Sequence, residues 1–336
     1  MTYPRINKGT PERAQGLPKF GVQDRSISDT KKRGHGSTQI FTDIHLRSAR
    51  MRCRAECQDR PFATLGDRAS FVVRFLNVLH RSLYRNSDRV VVLGRDMLRL
   101  VHRKLGIEAG NVSTITHWAD SDQIMPLDRN NNLLLRKLKL EDKFVIQYSG
   151  NMGRTHDLEV LIRCARILQQ DLGIHFLFIG TGAKEHWLRK ATQDLGLGNV
   201  TILPPQPRTE LAQSLNACDL AVISFVKGMS GVSVPSRMYN ILGAGKPILA
   251  IADADSELAQ VILEAHVGWL VQPGAEEKAV QAIREAASNK VLLEEMSQRA
   301  LAIVLKQYTK LQVMDRYEKL VRSVASSGNS SGQEAT

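Results

Sequence analysis

Short apolar runs alternate with helix-like segments from residue 144 onward, and this alternation limits the possible fold more than any other feature. The runs are four or five residues long and rich in Val, Ile, Leu and Phe, which is typical of strands buried on both faces. They lie at residues 144–148, 175–179, 199–203, 219–223, 247–251 and 268–271. Helical periodicity begins near Asp157, Ala183, Arg208, Pro235, Ser256 and Ala275. The pattern predicts an α/β fold whose parallel sheet is covered by helices on both faces.

The stretch from Phe144 to Asp157, FVIQYSGNMGRTHD, joins the first of these strands to a helix through a glycine-containing turn. Such a turn directs backbone N–H groups and a helix N-terminus toward an anion, usually a phosphate. Gly150 and Gly153 allow close approach of the backbone, and Asn151 and Arg154 supply side-chain donors. Many turns need glycine for their conformation alone, so this motif by itself is weak evidence for phosphate binding.

A second turn, SGVSVPSR from Ser230 to Arg237, precedes another helix. Gly231 and Ser233 expose backbone amides, and Pro235 stands where a helix favours proline. We interpret the two turns as opposite sides of a nucleotide-diphosphate site, with a purely structural αβ unit as the alternative. Gly180-Thr181-Gly182 has the same ambiguity, because GTGAKE lacks the third glycine of a dinucleotide fingerprint.

The basic charge is concentrated at the N-terminal side. Residues 1–110 hold 22 Lys and Arg against 10 Asp and Glu, whereas residues 111–336 hold 24 of each. This excess favours an anionic partner such as a membrane surface, with a solvated arm as the alternative. No apolar run is long enough to span a bilayer, and the N-terminus lacks the apolar core of a signal peptide. We therefore expect a cytoplasmic protein, with peripheral attachment to the inner face of the cytoplasmic membrane as a further hypothesis.

The four cysteines are consistent with the expected cytoplasmic location. Cys164 and Cys218 lie among apolar neighbours on predicted helices, where a buried thiol is the common case. Cys53 and Cys57 have no second ligand pair nearby, so we expect no metal site.

Four segments together resemble the family 4 (group 1) glycosyltransferases: YSGNMGRTHDLEVLI, FLFIGTGAK, SVPSRMYNILGAGKPILA and HWADSDQIMP. The similarity covers roughly residues 88–325 and is greatest to bacterial exopolysaccharide and O-antigen transferases, such as the colanic acid and fucosaminyl transferases. It implies a GT-B fold, in which two Rossmann-like domains hold the donor mainly through the C-terminal one. It also implies retaining, metal-independent and cofactor-free transfer from a nucleotide-diphosphate sugar to a glycan or lipid-linked acceptor.

The resemblance and the local patterns together predict the domains. Residues 1–68 are expected to be an atypical basic region of poor order, and we interpret them as the product of a truncated or frame-shifted gene. An amphipathic basic helix at 69–84 lies either on a membrane or on a domain core. The predicted units after it are a remnant of the N-terminal Rossmann-like domain with its linker (69–136), the C-terminal donor-binding Rossmann-like domain (137–309), a closing helix (310–325) and a disordered tail (326–336).

The resemblance also implies a set of donor-binding residues on the two turns and the loop between them. They are Gly150, Asn151, Gly153, Arg154, Gly180, Gly182, Ser233, Val234, Pro235, Ser236, Arg237 and Asn240. Val232 and Asn240 stand where many members carry two glutamates, so a carboxylate role is absent here. Asn240 is expected to bond the ribose or the sugar instead, and no catalytic residue is assigned.

Three other functions remain open at this point. One is an inactive nucleotide-sugar-binding fragment without a functional acceptor domain. A second is a sugar-nucleotide epimerase, which would need acidic and histidine side chains facing the cleft from both domains. The third is a nucleic-acid-binding module, but the basic region has few interleaved aromatic residues to stack on bases, so no nucleic-acid partner is expected.

Overall fold

The computed structural model describes residues 78–105 and 109–330. The predictions for residues 1–68, for Cys53 and Cys57, and for the first part of the amphipathic helix lie outside the described residues. Residues 78–85 form helix α1, which agrees with the predicted end of that helix.

A strand–helix–strand unit follows α1. Strands β1 (Val90–Val92) and β2 (Val112–Thr114) form a two-stranded parallel sheet in which Val90 lies beside Val112. Parallel strands need a crossover connection, and here it contains α2 (Arg95–Leu105). The apolar runs of the sequence predict a strand from Val90, a helix from Asp96 and a strand from Val112, and each element begins within one residue of these positions.

Six parallel strands form the main sheet, which confirms the predicted α/β class. In chain order they are β3 (Phe144–Ser149), β4 (Ile174–Ile179), β5 (Val200–Leu203), β6 (Leu220–Ser224), β7 (Ile248–Ile251) and β8 (Gly268–Val271). Their order across the sheet is β5-β4-β3-β6-β7-β8. Each strand begins within one residue of its predicted start.

Nine further helices connect or cover these strands in the described part of the chain. They are α3 (Leu133–Leu138), α4 (Leu158–Ile167), α5 (Glu185–Asp194), α6 (Leu211–Leu215), α7 (Arg237–Gly243), α8 (Glu257–Ala265), α9 (Glu276–Ser288), α10 (Lys290–Ile303) and α11 (Lys310–Ser330). A π-helical turn, Val304–Tyr308, joins the last two.

The inner strands of the main sheet are buried on both faces. Side chains alternate between the two faces along a strand, and every residue of β4, β6 and β7 is buried. On one face, Ile146 of β3 packs in the same apolar cluster as Leu161 of α4. On the other face, Val145 shares a cluster with Leu242 of α7 and with Val90 of β1. The β1–α2–β2 unit therefore has its core in common with the C-terminal domain.

The three consecutive asparagines Asn130–Asn132 form the polar stretch that the sequence indicates as the linker at the end of the predicted 69–136 unit. Asn132 is fully buried and caps α3, because its side-chain oxygen accepts from the Leu135 N–H at 3.0 Å. Its amide nitrogen donates to the Gln213 carbonyl at 2.9 Å. The stretch is thus anchored to the C-terminal domain, and the predicted boundary between residues 136 and 137 falls inside α3.

The chain returns to the N-terminal unit after α10. The Ala119 N–H donates to the Tyr308 carbonyl at 2.8 Å, and Val313 of α11 packs against Val91 and Ile115. Helix α11 continues through Ser330, so residues 326–330 are helical and not part of a disordered tail. Extending an existing helix costs far less than starting one, which explains why Ser and Gly are tolerated there.

Both predicted buried thiols are confirmed, with one correction. Cys164 lies on α4, but Cys218 lies beyond the end of α6, in the loop before β6. Burial raises the pKa of each thiol to about 12. Among the described residues, no helix is both long and apolar enough to cross a membrane.

Candidate functional site

The strand order creates a crevice at the carboxyl edge of the main sheet. From β3 the chain adds β4 and β5 on one side of the sheet, and from β6 it adds β7 and β8 on the other side. Strands β3 and β6 are neighbours, so the direction of the connections reverses between them. In open parallel sheets, ligands bind outside the strand ends at such a reversal point. The loops after β3 and β6 are the two turns that the sequence singles out.

The loop after β3 is packed tightly against the loop after β4. A Cβ atom on Gly180, which has φ +148°, would lie 1.9 Å from the Gly150 carbonyl oxygen. A Cβ on Gly182 would lie 2.7 Å from the Met152 backbone, and the Met152 N–H donates to the Thr181 carbonyl at 2.8 Å. These two glycines are therefore required by backbone packing, whatever they contribute to a ligand.

Arg237, the first residue of α7, connects the two turns. Its Nη1 donates to the Ser149 carbonyl at 3.1 Å, and its guanidinium carbon lies 4.7 Å from the centre of the Tyr148 ring. A Cβ on Gly150 would lie 2.5 Å from Nη1. The Nε atom of Arg237 is buried and has no hydrogen-bond partner among the described residues. The Nε–H group of the Arg237 cation is therefore available to donate to a bound anion.

His156 lies beside Arg237 and was not predicted from the sequence. Its ring stacks on Phe225 at 5.1 Å, and its Nδ1 lies 2.9 Å from the Ser224 carbonyl. Because a carbonyl can accept but not donate, the neutral ring carries its proton on Nδ1. Burial and the neighbouring Arg237 charge lower the His156 pKa to about 4. At neutral pH the imidazole is therefore uncharged.

Two carboxylates hold the loop after β6, and neither was predicted as a site residue. Asp253 accepts from the N–H groups of Gly228 and Met229 at 2.8 Å, and from Ser230 at 3.2 Å. Buried Asp96, at the start of α2, accepts from Gly231 at 2.9 Å. Asp253 follows β7 at the carboxyl edge of the sheet, which is the one sequence signal that favours a role at this edge.

The remaining predicted residues occupy different environments. Asn151, Arg154 and Ser236 are exposed, Gly153 and Ser233 are half-buried, and Val234 and Pro235 are buried. Asn240 lies farther along α7, and its side-chain oxygen accepts from the Asp120 N–H at 2.9 Å. That oxygen already holds the segment that follows β2, whereas the exposed side chains are free of such a contact in the described structure.

The model of the family "Glycosyl transferases group 1" matches residues 131–302, which is 172 of the 336 residues. The chain belongs to this family. The match includes both turns and every predicted donor-binding residue of the chain.

Curated relatives agree with this membership. The chain is 30% identical over 204 residues to WbjE of Pseudomonas aeruginosa, a glycosyltransferase by name, covering 61% of this chain and 50% of WbjE. It is 31% identical over 219 residues to WcaI of Escherichia coli, named for colanic acid biosynthesis, covering 64% of this chain and 53% of WcaI. The chain thus spans about half the length of these relatives.

Solved structures show the same fold. Sucrose-phosphate synthase of Thermosynechococcus elongatus superposes with a TM-score of 0.64 at 17% identity, covering 76% of this chain and 62% of the synthase. HepE of Anabaena, solved with UDP-glucose, gives 0.65 at 15% identity, covering 76% and 74%. The fold is therefore of the GT-B type, as the resemblance implies.

Proposed function

We propose that the transferase binds a nucleotide-diphosphate sugar at the reversal point of its main sheet. The observation that carries this proposal is the position of Arg237, which joins the two turns and keeps a buried Nε without a partner among the described residues. A guanidinium binds phosphate oxygens through several N–H groups at once. The complex of HepE with UDP-glucose supports the same class of ligand.

The proposed reaction moves the sugar to a glycan or lipid-linked acceptor with retention, and without a metal or another cofactor. The charge that develops on the departing diphosphate would be stabilised by Arg237, by Arg154 and by backbone amides of the turns. Neutral His156 would add an acceptor through Nε2 but no charge. Retention and metal independence rest on the family resemblance alone.

We also propose a role in bacterial surface polysaccharide synthesis at the inner face of the cytoplasmic membrane. The name of WcaI, which refers to colanic acid biosynthesis, supports the pathway class. The net charge of +12 in residues 1–110 supports an anionic membrane surface. High salt should release the protein from anionic vesicles, and retention in high salt would contradict electrostatic attachment.

The test is a panel of nucleotide sugars, measured by calorimetry and by release of nucleoside diphosphate with membrane extract as acceptor. Arg237→Ala should weaken donor binding by about tenfold or more, since hydrogen bonds to charged groups contribute roughly 1.5–3 kcal/mol each. The matched control is Arg166→Ala, because Arg166 is exposed on α4. It should bind like the unmodified protein.

The possible results separate the hypotheses. Turnover with one donor supports a transferase, and binding without turnover supports a nucleotide-sugar-binding chain that lacks transfer activity. Absence of donor binding in the unmodified protein would refute the proposed function. Equal donor binding by folded Arg237→Ala would refute the role of Arg237.

A further inference from the structure

Four consecutive backbone N–H groups in the loop after β6 all donate to carboxylates. Those of Gly228, Met229 and Ser230 converge on one oxygen of Asp253, at 2.8, 2.8 and 3.2 Å. The next one, on Gly231, donates to Asp96 at 2.9 Å.

Such a run of converging amides is an anion-binding concavity, of the type that holds phosphates in many proteins. Here the anion belongs to the protein itself. Gly228 and Gly231 have φ of +87° and +74°, so the loop uses left-handed conformations that favour glycine to turn its amides inward. Charge-assisted hydrogen bonds are stronger than neutral ones, and three of them to one oxygen define the curve of the loop.

Asp253 is itself well anchored. Its backbone carbonyl accepts from both the N–H and the hydroxyl of Ser256, the residue that caps α8. The carboxylate is therefore presented from a fixed point next to β7. Asp96 adds a second fixed point, since it also accepts from the Glu257 N–H at 3.0 Å.

The loop that these carboxylates hold leads directly into the proposed donor-binding turn. At its start, the Val226 N–H donates to the Thr155 carbonyl at 2.9 Å. At its end, Arg237 reaches Ser149. The segment between these contacts contains Ser233 and Ser236, and its position depends on what holds residues 228–231.

We propose that Asp253 is a positioning residue of the donor site. Its carboxylate acts as an internal anion that holds residues 228–230, and thereby places residues 233–237 opposite the loop after β3. This inference rests on the proposed function for the identity of the ligand. The contact between Asp253 and the three amides does not depend on it.

The experiment compares Asp253→Ala with the matched control Asp255→Ala. Asp255 carries the same charge two residues away, is exposed, and contributes its backbone carbonyl to contacts with Arg99 and Gln260. Donor affinity is measured by calorimetry with the nucleotide sugar that the unmodified protein binds best. Amide hydrogen exchange at residues 228–230 is measured without ligand, and both measurements are repeated with added formate.

Asp253→Ala should lose about tenfold or more in donor affinity and exchange its amides at 228–230 faster, whereas Asp255→Ala should do neither. Formate supplies a carboxylate for the empty concavity, so it should restore affinity and protection in Asp253→Ala alone. A loss of packing would not be restored by formate, which separates positioning from a general structural effect.

The inference is overturned if folded Asp253→Ala keeps its donor affinity or its amide protection. It is also overturned if formate restores neither property. If the unmodified protein binds no nucleotide sugar, the proposed function fails and the donor role of Asp253 fails with it. Donor binding that is equal in the unmodified protein and in Asp253→Ala overturns the inference alone.

Discussion

Replacing Gly180 by alanine should unfold much of the candidate site. Gly196 and Gly198 serve as controls that separate backbone strain from steric overlap as the cause. The added Cβ would lie 1.9 Å from the Gly150 carbonyl oxygen, which is 1.1 Å inside the 3.0 Å limit that real Cβ atoms respect. Gly180 also has φ +148°. Gly196 has φ +58° but open space around it, and Gly198 has open space and no positive φ.

The three substitutions should therefore form a graded series. Gly198→Ala should change the free energy of unfolding by less than about 1 kcal/mol, in the stabilising direction if it acts through the unfolded chain. Gly196→Ala should cost about 1–2 kcal/mol, the cost of a left-handed L-residue. Gly180→Ala combines backbone strain with an overpacked contact against backbone, and should cost about 4 kcal/mol.

Urea unfolding followed by tryptophan fluorescence measures these differences, since Trp187 and Trp269 lie in the C-terminal domain. The slope of the unfolding free energy against urea should be the same for all three variants, which keeps the comparison valid. If Gly180→Ala is no less stable than Gly196→Ala, the close approach of the β3 and β4 loops is wrong.

Two further predictions concern pH and the contact between the N-terminal unit and the main sheet. Burial lowers the pKa of His156 and His175 to about 4, so each takes up a proton more readily in the unfolded chain. The stabilising contribution of each neutral histidine should be fully present above pH 6.5 and be lost as the pH falls toward 4, by up to about 3 kcal/mol in the free energy of unfolding. His175→Gln should lose less unfolding free energy over this pH range than the unmodified protein. An equal loss would contradict the assignment. Asp96→Asn should lower the free energy of unfolding by about 2–4 kcal/mol, because buried Asp96 accepts from two N–H groups of the C-terminal domain. The measurement is thermal unfolding of this variant beside Asp88→Asn, in which the aspartate is exposed. Equal unfolding midpoints for the two variants would contradict this prediction.

The strands and most helices could be predicted from local sequence because their signals are local. A strand buried on both faces must be apolar throughout, and each connecting turn contains glycine, proline or a capping residue. Asp157 and Ser256, for example, cap α4 and α8 with their side-chain oxygens, which the sequence pattern shows directly. The end of α11 was harder to predict, since helix propagation depends on the helix already formed.

The sequence alone indicated the two turns of the candidate site but not how they are joined. That Arg237 reaches Ser149 across 88 positions depends on β3 and β6 being neighbours, and strand order is a property of the whole sheet. The same holds for Asp253, whose carboxylate meets residues more than 20 positions earlier in the chain. The local sequence around a single aspartate after a strand does not indicate which residues its carboxylate will contact.

Sequence by itself thus determined the class of fold, because hydrophobic periodicity is a local signal. It indicated the family through the resemblance of four short segments to known members. Only the tertiary structure decided which side chains share the site. It showed that Asn132, in the predicted linker, caps α3 and binds the C-terminal domain. It also placed neutral His156 and the carboxylates of Asp96 and Asp253 beside the turns. Hydrogen bonds between distant segments form once the sheet is assembled, so no local pattern predicts them.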